Sequence, residues 1–327
     1  MITKRLEYID TARGVAMILV VLSHSVSSDM MSLNKFILGF HMPLFFFISG
    51  CFAKSCPRIG WGVFFLKKVR MLLVPQLLLS FLRVIQSILE CVNNDNYDNI
   101  QWLHWDWFLP VLLMCSLLYS MITFVLKSES AITKCFLLLF SIIMVYFGQK
   151  LNSNEFYYYG VINSRHFAIL PMAFVFYVLG SLSKVFIIKY SNNFATFNKG
   201  LLFFVIISTI YILSNINDVV FMYANEYGNI FIFFITSILG IFASIHLSMF
   251  LQNSKAINYI GVNCVGFYVW NFLTIKVLVN LVDKVFNYLN VNFNPAPEIM
   301  GFALSMIVLF FLVRITNRYV PFVYGKI

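Results

Sequence analysis

The chain alternates apolar runs with polar breaks, and that rhythm leaves few folds open. The runs lie at about 10–29, 36–53, 70–90, 107–126, 131–149, 166–188, 200–215, 229–251, 260–282 and 298–315. A run of roughly 20 apolar residues crosses a bilayer as a helix, because lipid offers no partner to an unpaired backbone group. Hydrophobic residues make up 61% of the 327 positions and charged residues 11%. A soluble protein of this size could not hide so much apolar surface. The expected fold is all-α: a polytopic membrane bundle of about ten transmembrane helices, with residues 1–327 forming one integral membrane unit. The first run is the weakest, since its uninterrupted apolar stretch, residues 15–22, would not span a bilayer unaided. It requires shelter from the other helices. No cleavable signal peptide is expected, because Asp10 and Arg13 interrupt the first apolar segment and no small-x-small site follows it.

A formal charge of +10 would suggest nucleic acid in a soluble protein. Here it has a topological reading. With the N-terminus inside, basic residues crowd the inner segments, whereas the outer loops hold only Lys35, Lys150, Arg165 and Lys284. The asymmetry predicts both termini on the cytosolic side and an even number of helices. The bilayer is the expected partner, and no nucleic acid is. Cys51, Cys56, Cys91, Cys115, Cys135 and Cys264 are scattered without a CxxC pair, as small apolar fillers would be.

Arg13 and His24 lie eleven residues apart in the first run. Eleven helical residues return to within about 20° of the same face, about 16 Å farther along the axis. One face thus carries a guanidinium near the inner surface and an imidazole well inside, and intramembrane ionisable groups raise a functional hypothesis. Neutral imidazole keeps a lone pair for general-base work. The bland alternative is a hydrogen bond between packed helices. Asp10 stands i, i+3 from Arg13 and can pair with it.

Other residues carry paired readings. His41, at the outer end of the second run, either orients His24 or an acceptor hydroxyl, or is an interfacial histidine. Ser49 and Gly50 permit close backbone approach of a ligand or helix. Lys67, Lys68 and Arg70, before Pro75, can bind cofactor phosphates or simply obey the positive-inside rule. Arg83, within the third run, needs a cavity or a partner acid. Trp102, His104, Trp105, Asp106 and Trp107 form either an aromatic belt or a carbohydrate platform. Tyr157, Tyr158, Tyr159, Arg165 and His166 offer a second such patch, and His246 reads as packing. There is no phosphate-cradling glycine motif, no Ser-His-Asp spacing and no metal-ligand cluster.

Together these residues resemble the membrane acyltransferase-3 family over nearly the whole chain. Its hallmark is an Arg, ten intervening residues and a His, within Asp-x-x-Arg-Gly-x-Ala. Asp10, Arg13, Gly14, Ala16 and His24 match it. Phe45-Phe-Phe-Ile-Ser-Gly50 resembles the second signature, and Lys67, Lys68, Arg70 and Pro75 resemble the basic segment, with an Arg-to-Pro spacing one residue longer than in many members. Trp107-Phe-Leu109, Tyr177-Val-Leu-Gly180 and Gly261-Val-Asn-Cys-Val-Gly-Phe-Tyr268 resemble later landmarks, whereas Asn271 stands where many members have His. The run from His41 is most similar to the fucose 4-O-acetylase-like branch.

The resemblance implies a surface-glycan O-acetyltransferase of the bacterial inner membrane. Its donor would be cytosolic acetyl-CoA, without a metal, and its acceptor a carbohydrate or lipid-linked glycan. His24 would be the base, through direct transfer or an acetyl-histidine. Arg13 with Asp10, and Lys67, Lys68 and Arg70, would hold the donor. His41, Trp105, Asp106 and Arg165 would face the acceptor. A phosphopantetheine arm is about as long as the rise from Arg13 to His24. The competing reading is a glycan flippase, polymerase or transporter without acyl transfer.

Overall fold

Backbone groups that find no water must pair within their own segment, so the apolar runs become helices. The computed structural model describes residues 7–26, 30–53, 60–93, 106–150, 164–192, 199–289 and 296–325. The α-helices among them are α1 (Glu7–Ser25), α2 (Met31–Leu38), α3 (His41–Cys51), α4 (Trp61–Asn93), α5 (Phe108–Val125), α6 (Ala131–Lys150), α7 (Ser164–Asn192), α8 (Lys199–Ile216), α9 (Ile230–Leu251), α10 (Lys255–Val262), α11 (Cys264–Tyr288) and α12 (Ala296–Tyr319). Eight segments are long and apolar enough to cross a membrane. The charged α1 and the shorter α8 lie outside those eight. The architecture is an all-α polytopic bundle.

Centre and rim differ in composition and burial. α1 is the charged helix that could not span alone, and it packs against α3, α9, α10, α11 and α12. Ala12, Ala16, Met17 and Val21 are buried almost completely. Its neighbours thus provide the shelter its hydropathy requires. α6 lies at the rim, where Ile132, Phe136, Leu139, Ile143 and Phe147 are exposed. Such a surface is stable only against lipid.

The expected 36–53 run corresponds to one candidate membrane span, Met31–Cys51, but its helix is interrupted. It breaks at Gly39 and Phe40 into α2 and α3. Pro43 has no N–H to donate to the carbonyl of Gly39. The Ser237 hydroxyl donates to that carbonyl instead, at 2.7 Å. Phe40 fills the space beside Gly240, where a side chain would meet the Phe40 ring. The expected 260–282 run also divides: residues 255–262 form α10 and α11 starts afresh at Cys264. α1 ends at Ser25, before the expected 29.

Two glycine crossings set the close packing. A β-carbon on Gly50 of α3 would strike the carbonyl oxygen of Tyr177 in α7, and one on Gly180 would strike that of Phe47. The arrangement recurs between α1 and α10, where Gly14 faces the carbonyl of Ile257 and Gly261 faces that of Asp10. The helix-packing reading of Gly50 therefore holds. Of the cysteines, Cys51, Cys115, Cys135 and Cys264 form no disulfide among the described residues, whereas Cys56 and the side chain of Cys91 lie outside them.

The connection from α8 to α9 is fixed by side chains. Asn217 donates from Nδ2 to the Tyr227 carbonyl at 3.0 Å, and its Oδ1 accepts from the Asn229 N–H at 2.7 Å. Lys35 donates to the Asn217 carbonyl at 2.9 Å. Tyr227 is packed tightly beneath, and burial pushes its phenol above the usual tyrosine range. An Asn217→Ala variant leaves both backbone groups without that partner. We expect it to lose roughly 1–3 kcal/mol of stability, measured as a lower unfolding temperature in detergent with activity per folded molecule unchanged.

Candidate active site

α1 and α3 run side by side, and their termini define the site. The α1 face that carries Arg13 and His24 follows the length of α3. Arg13 lies over the Phe52 ring just past the end of α3, at 4.9 Å. His24 lies within electrostatic reach of His41, at the start of α3. α3 has eleven residues, about 16 Å of helix, and so matches the rise between the two α1 residues.

At the Arg13 end, Nη1 of Arg13 meets Oδ1 of Asp10 at 3.3 Å, the i, i+3 pair expected from the spacing. Both side chains keep some accessible surface, 29% and 12%. A half-exposed ion pair contributes little stability, but it aims the guanidinium. Arg13 and Lys184 of α7 both act electrostatically on Cys51, so the two cations converge on the end of α3. Lys67, Lys68 and Arg70 lie farther along the chain, on α4. Lys68 rests over the Phe64 ring, and the backbone of Arg70 packs against Gly325. Among the described residues, no hydrogen bond or ring contact joins Lys67, Lys68 or Arg70 to Arg13.

At the other end, His24 is exposed. It makes no hydrogen bond to a packed helix among the described residues, so the bland packing reading finds no support there. Its neighbours come from three directions: His41 of α3, Arg83 of α4, and Asp106 at the start of α5. The side chain is thus accessible, with groups from three elements around it. Neither ring nitrogen of His24 has a hydrogen-bond partner among the described residues, so both can serve a ligand. His41 is buried, at 4% exposure, which removes its interfacial reading. Its Nδ1 lies 2.9 Å from the Ile37 carbonyl. A carbonyl only accepts, so Nδ1 carries the hydrogen and Nε2 keeps a lone pair.

Arg83 has the partner acid that its position demands. Its Nη2 donates to Oδ2 of Asp106 at 3.1 Å. Oδ1 of Asp106 accepts the Trp107 N–H at 3.1 Å, and a carboxylate is favoured so close to a helix N-terminus. The Arg83 guanidinium stacks on Phe272 of α11 at 3.7 Å. The Tyr268 hydroxyl faces the same carboxylate. Phe45, Phe108 and Tyr268 link α3, α5 and α11 through one T-shaped and one tilted ring contact, with centroids 5.5 and 5.3 Å apart.

The structure thus joins Asp10 with Arg13, and His24 with His41 and Asp106. Trp105, with Trp102 and His104, lies outside the described residues, as does the side chain of Arg165. Lys184 reads in the sequence only as one of the basic residues of the inner segments, Phe272 carries no signal there, and Tyr268 stands out only as the end of a motif. The i, i+4 spacing of Tyr268 and Phe272 places them on one face, but nothing in the spacing ties that face to Arg83. His246 packs among Phe203, Phe242 and Phe250, with Nδ1 2.9 Å from the Tyr190 hydroxyl.

An accessible, unpaired imidazole beside an ion pair can move a proton, and a cation one α3 length away can hold an anionic group. A family model described as an acyltransferase domain matches residues 6–315. No curated protein and no solved structure matches the chain.

Proposed function

The chain belongs to the acyltransferase-3 family and is a multi-pass membrane acyltransferase; from that premise we propose that it moves an acetyl group from cytosolic acetyl-CoA to a hydroxyl of a bacterial surface glycan or its lipid-linked precursor. The carrying observation is His24: exposed, unpaired among the described residues, and on the same helix as Arg13. Arg13, aimed by Asp10, takes a phosphate of the donor, with Lys184 and the basic start of α4 adding positive potential. The charge asymmetry of the loops supports a cytosolic position for that end, as a bacterial inner-membrane enzyme drawing on acetyl-CoA requires. The pantetheine arm follows α3, and the thioester reaches His24.

His24 accepts the acceptor hydroxyl proton as that oxygen attacks the thioester carbon. The new C–O bond forms, the C–S bond breaks, and the leaving thiolate recovers the proton from His24. His41, held by Ile37, positions the acceptor or the His24 ring. Asp106 shapes the acceptor side through Arg83.

Purified protein incubated with labelled acetyl-CoA and a panel of p-nitrophenyl glycosides tests this reading. Label on a glycoside supports it. Transport of glycan with no label transfer would favour a flippase or transporter. In the same assay, Arg13→Ala should raise KM for acetyl-CoA by about ten- to a hundredfold, the loss of one charge-assisted contact. kcat should stay within about threefold, because the contact is made equally in ground and transition states.

A further inference from the structure

We propose that Arg83 is a catalytic residue that stabilises the negative charge on the thioester carbonyl oxygen during transfer, with Asp106 and Tyr268 as its positioning residues. The proposal rests on the acyl-transfer reading above. An arginine inside a spanning helix is costly, and stability alone does not explain it. Replacing an ion pair of this kind by well-packed apolar residues is often neutral or stabilising.

The surroundings of Arg83 differ from those of a closed ion pair. Asp106 engages only Nη2, at 3.1 Å. Phe272 covers one face of the guanidinium at 3.7 Å. Nε is buried without a hydrogen-bond partner, and Nη1 has none among the described residues. The side chain nonetheless keeps 20% of its surface accessible. The group is therefore charged, oriented from two sides, provided with unused donors and reachable. It acts electrostatically on His24, so base and cation are neighbours. Asp106 is already occupied by Arg83 and the Trp107 N–H, which suits it to positioning.

The acceptor oxygen gives its proton to His24 and bonds to the carbonyl carbon. The C=O pair moves onto oxygen, where the Nη1 N–H groups of Arg83 donate to it. On collapse the pair returns, the C–S bond breaks, and the thiolate takes the proton back from His24. Donors fixed in advance at the developing charge are worth more than those that must reorganise.

The test uses the full chain in nanodiscs with labelled acetyl-CoA and p-nitrophenyl glycosides, and unfolding temperature is read alongside. Arg83→Gln should lower kcat by about 10²–10³-fold, with KM for acetyl-CoA within about threefold of wild type. Arg83→Lys, which keeps the charge without the planar fork, should fall between them. The neutral double variant Arg83→Gln/Asp106→Asn removes the lone buried charge, and its kcat should stay low although the protein folds. A folded double variant with wild-type kcat would show a merely structural pair and overturn the proposal. So would an Arg83→Gln variant within threefold of wild type. A wild-type protein that transfers no label would instead overturn the underlying acyl-transfer reading.

Discussion

His24→Ala lowers the rate of acyl transfer by roughly 10²–10⁴-fold, the usual contribution of a positioned general base, and leaves the amount of folded protein unchanged. Both halves of this expectation follow from the surroundings of His24. Its side chain is exposed, and no hydrogen bond ties it to the described residues, so removing the ring opens no packed cavity and strands no buried partner. The neighbouring ion pair between Arg83 and Asp106 is complete without it. His24→Gln keeps hydrogen-bonding capacity without a titratable nitrogen and should be as inactive as His24→Ala. KM for acetyl-CoA should change little, because the proposed path anchors the donor at Arg13, about 16 Å away. Comparing kcat, KM and detergent-resistant folded fraction for both variants checks the claim. Wild-type turnover in either would remove His24 from the chemistry.

The second large effect is structural. Gly50→Val should abolish recovery of folded protein. A β-carbon at that position runs into the backbone carbonyl of Tyr177, and backbone cannot rotate away as a long side chain can. Overpacking a core costs typically about 1–3 kcal/mol, and occasionally more; a clash between two helix backbones belongs at the upper end. Gly180, on the reciprocal side of the same crossing, should behave alike. Gly261→Val should push α10 off α1 at Asp10, spoiling the aim of Arg13 even where some protein survives. Gly62 and Gly200 are the internal controls. Neither has an atom within 4 Å of a built β-carbon, and alanine there should be neutral or slightly stabilising through helix propensity. Size-exclusion profiles of fluorescent fusions, read across the five variants, separate the two classes.

Much of this architecture is legible in the order of residues. The apolar runs mark the helices because lipid enforces internal hydrogen bonding. The marginal first run announces a sheltered helix, and the structure buries α1 in the centre. Arg83 announces a partner acid, and Asp106 supplies it. Other features depend on atoms distant in sequence. The break between α2 and α3 needs Pro43 together with Ser237 of α9, nearly two hundred residues on. The role of Gly50 depends on where Tyr177 of α7 arrives. Lys184 reads as one more inner-loop cation until it converges with Arg13 on Cys51. Phe272 reads as one aromatic residue among thirty-seven phenylalanines, and only the position of α11 lays it under Arg83. The openness of His24 was likewise not readable, since hydropathy describes a segment and cannot distinguish an accessible side chain from a packed one.

The central claim is that Arg13 and His24 mark two ends of one transfer path, and sided proteoliposomes test it most directly. Labelled acetyl-CoA is placed only on the side of the Arg13 end, a p-nitrophenyl glycoside only on the other, and the product is counted with time. The account predicts acetylated glycoside on the far side for wild type, background for His24→Ala, and a KM rise for Arg13→Ala. Acetyl-CoA hydrolysed or retained with no acetylated glycoside in any arrangement, or equal product from His24→Ala, would contradict it.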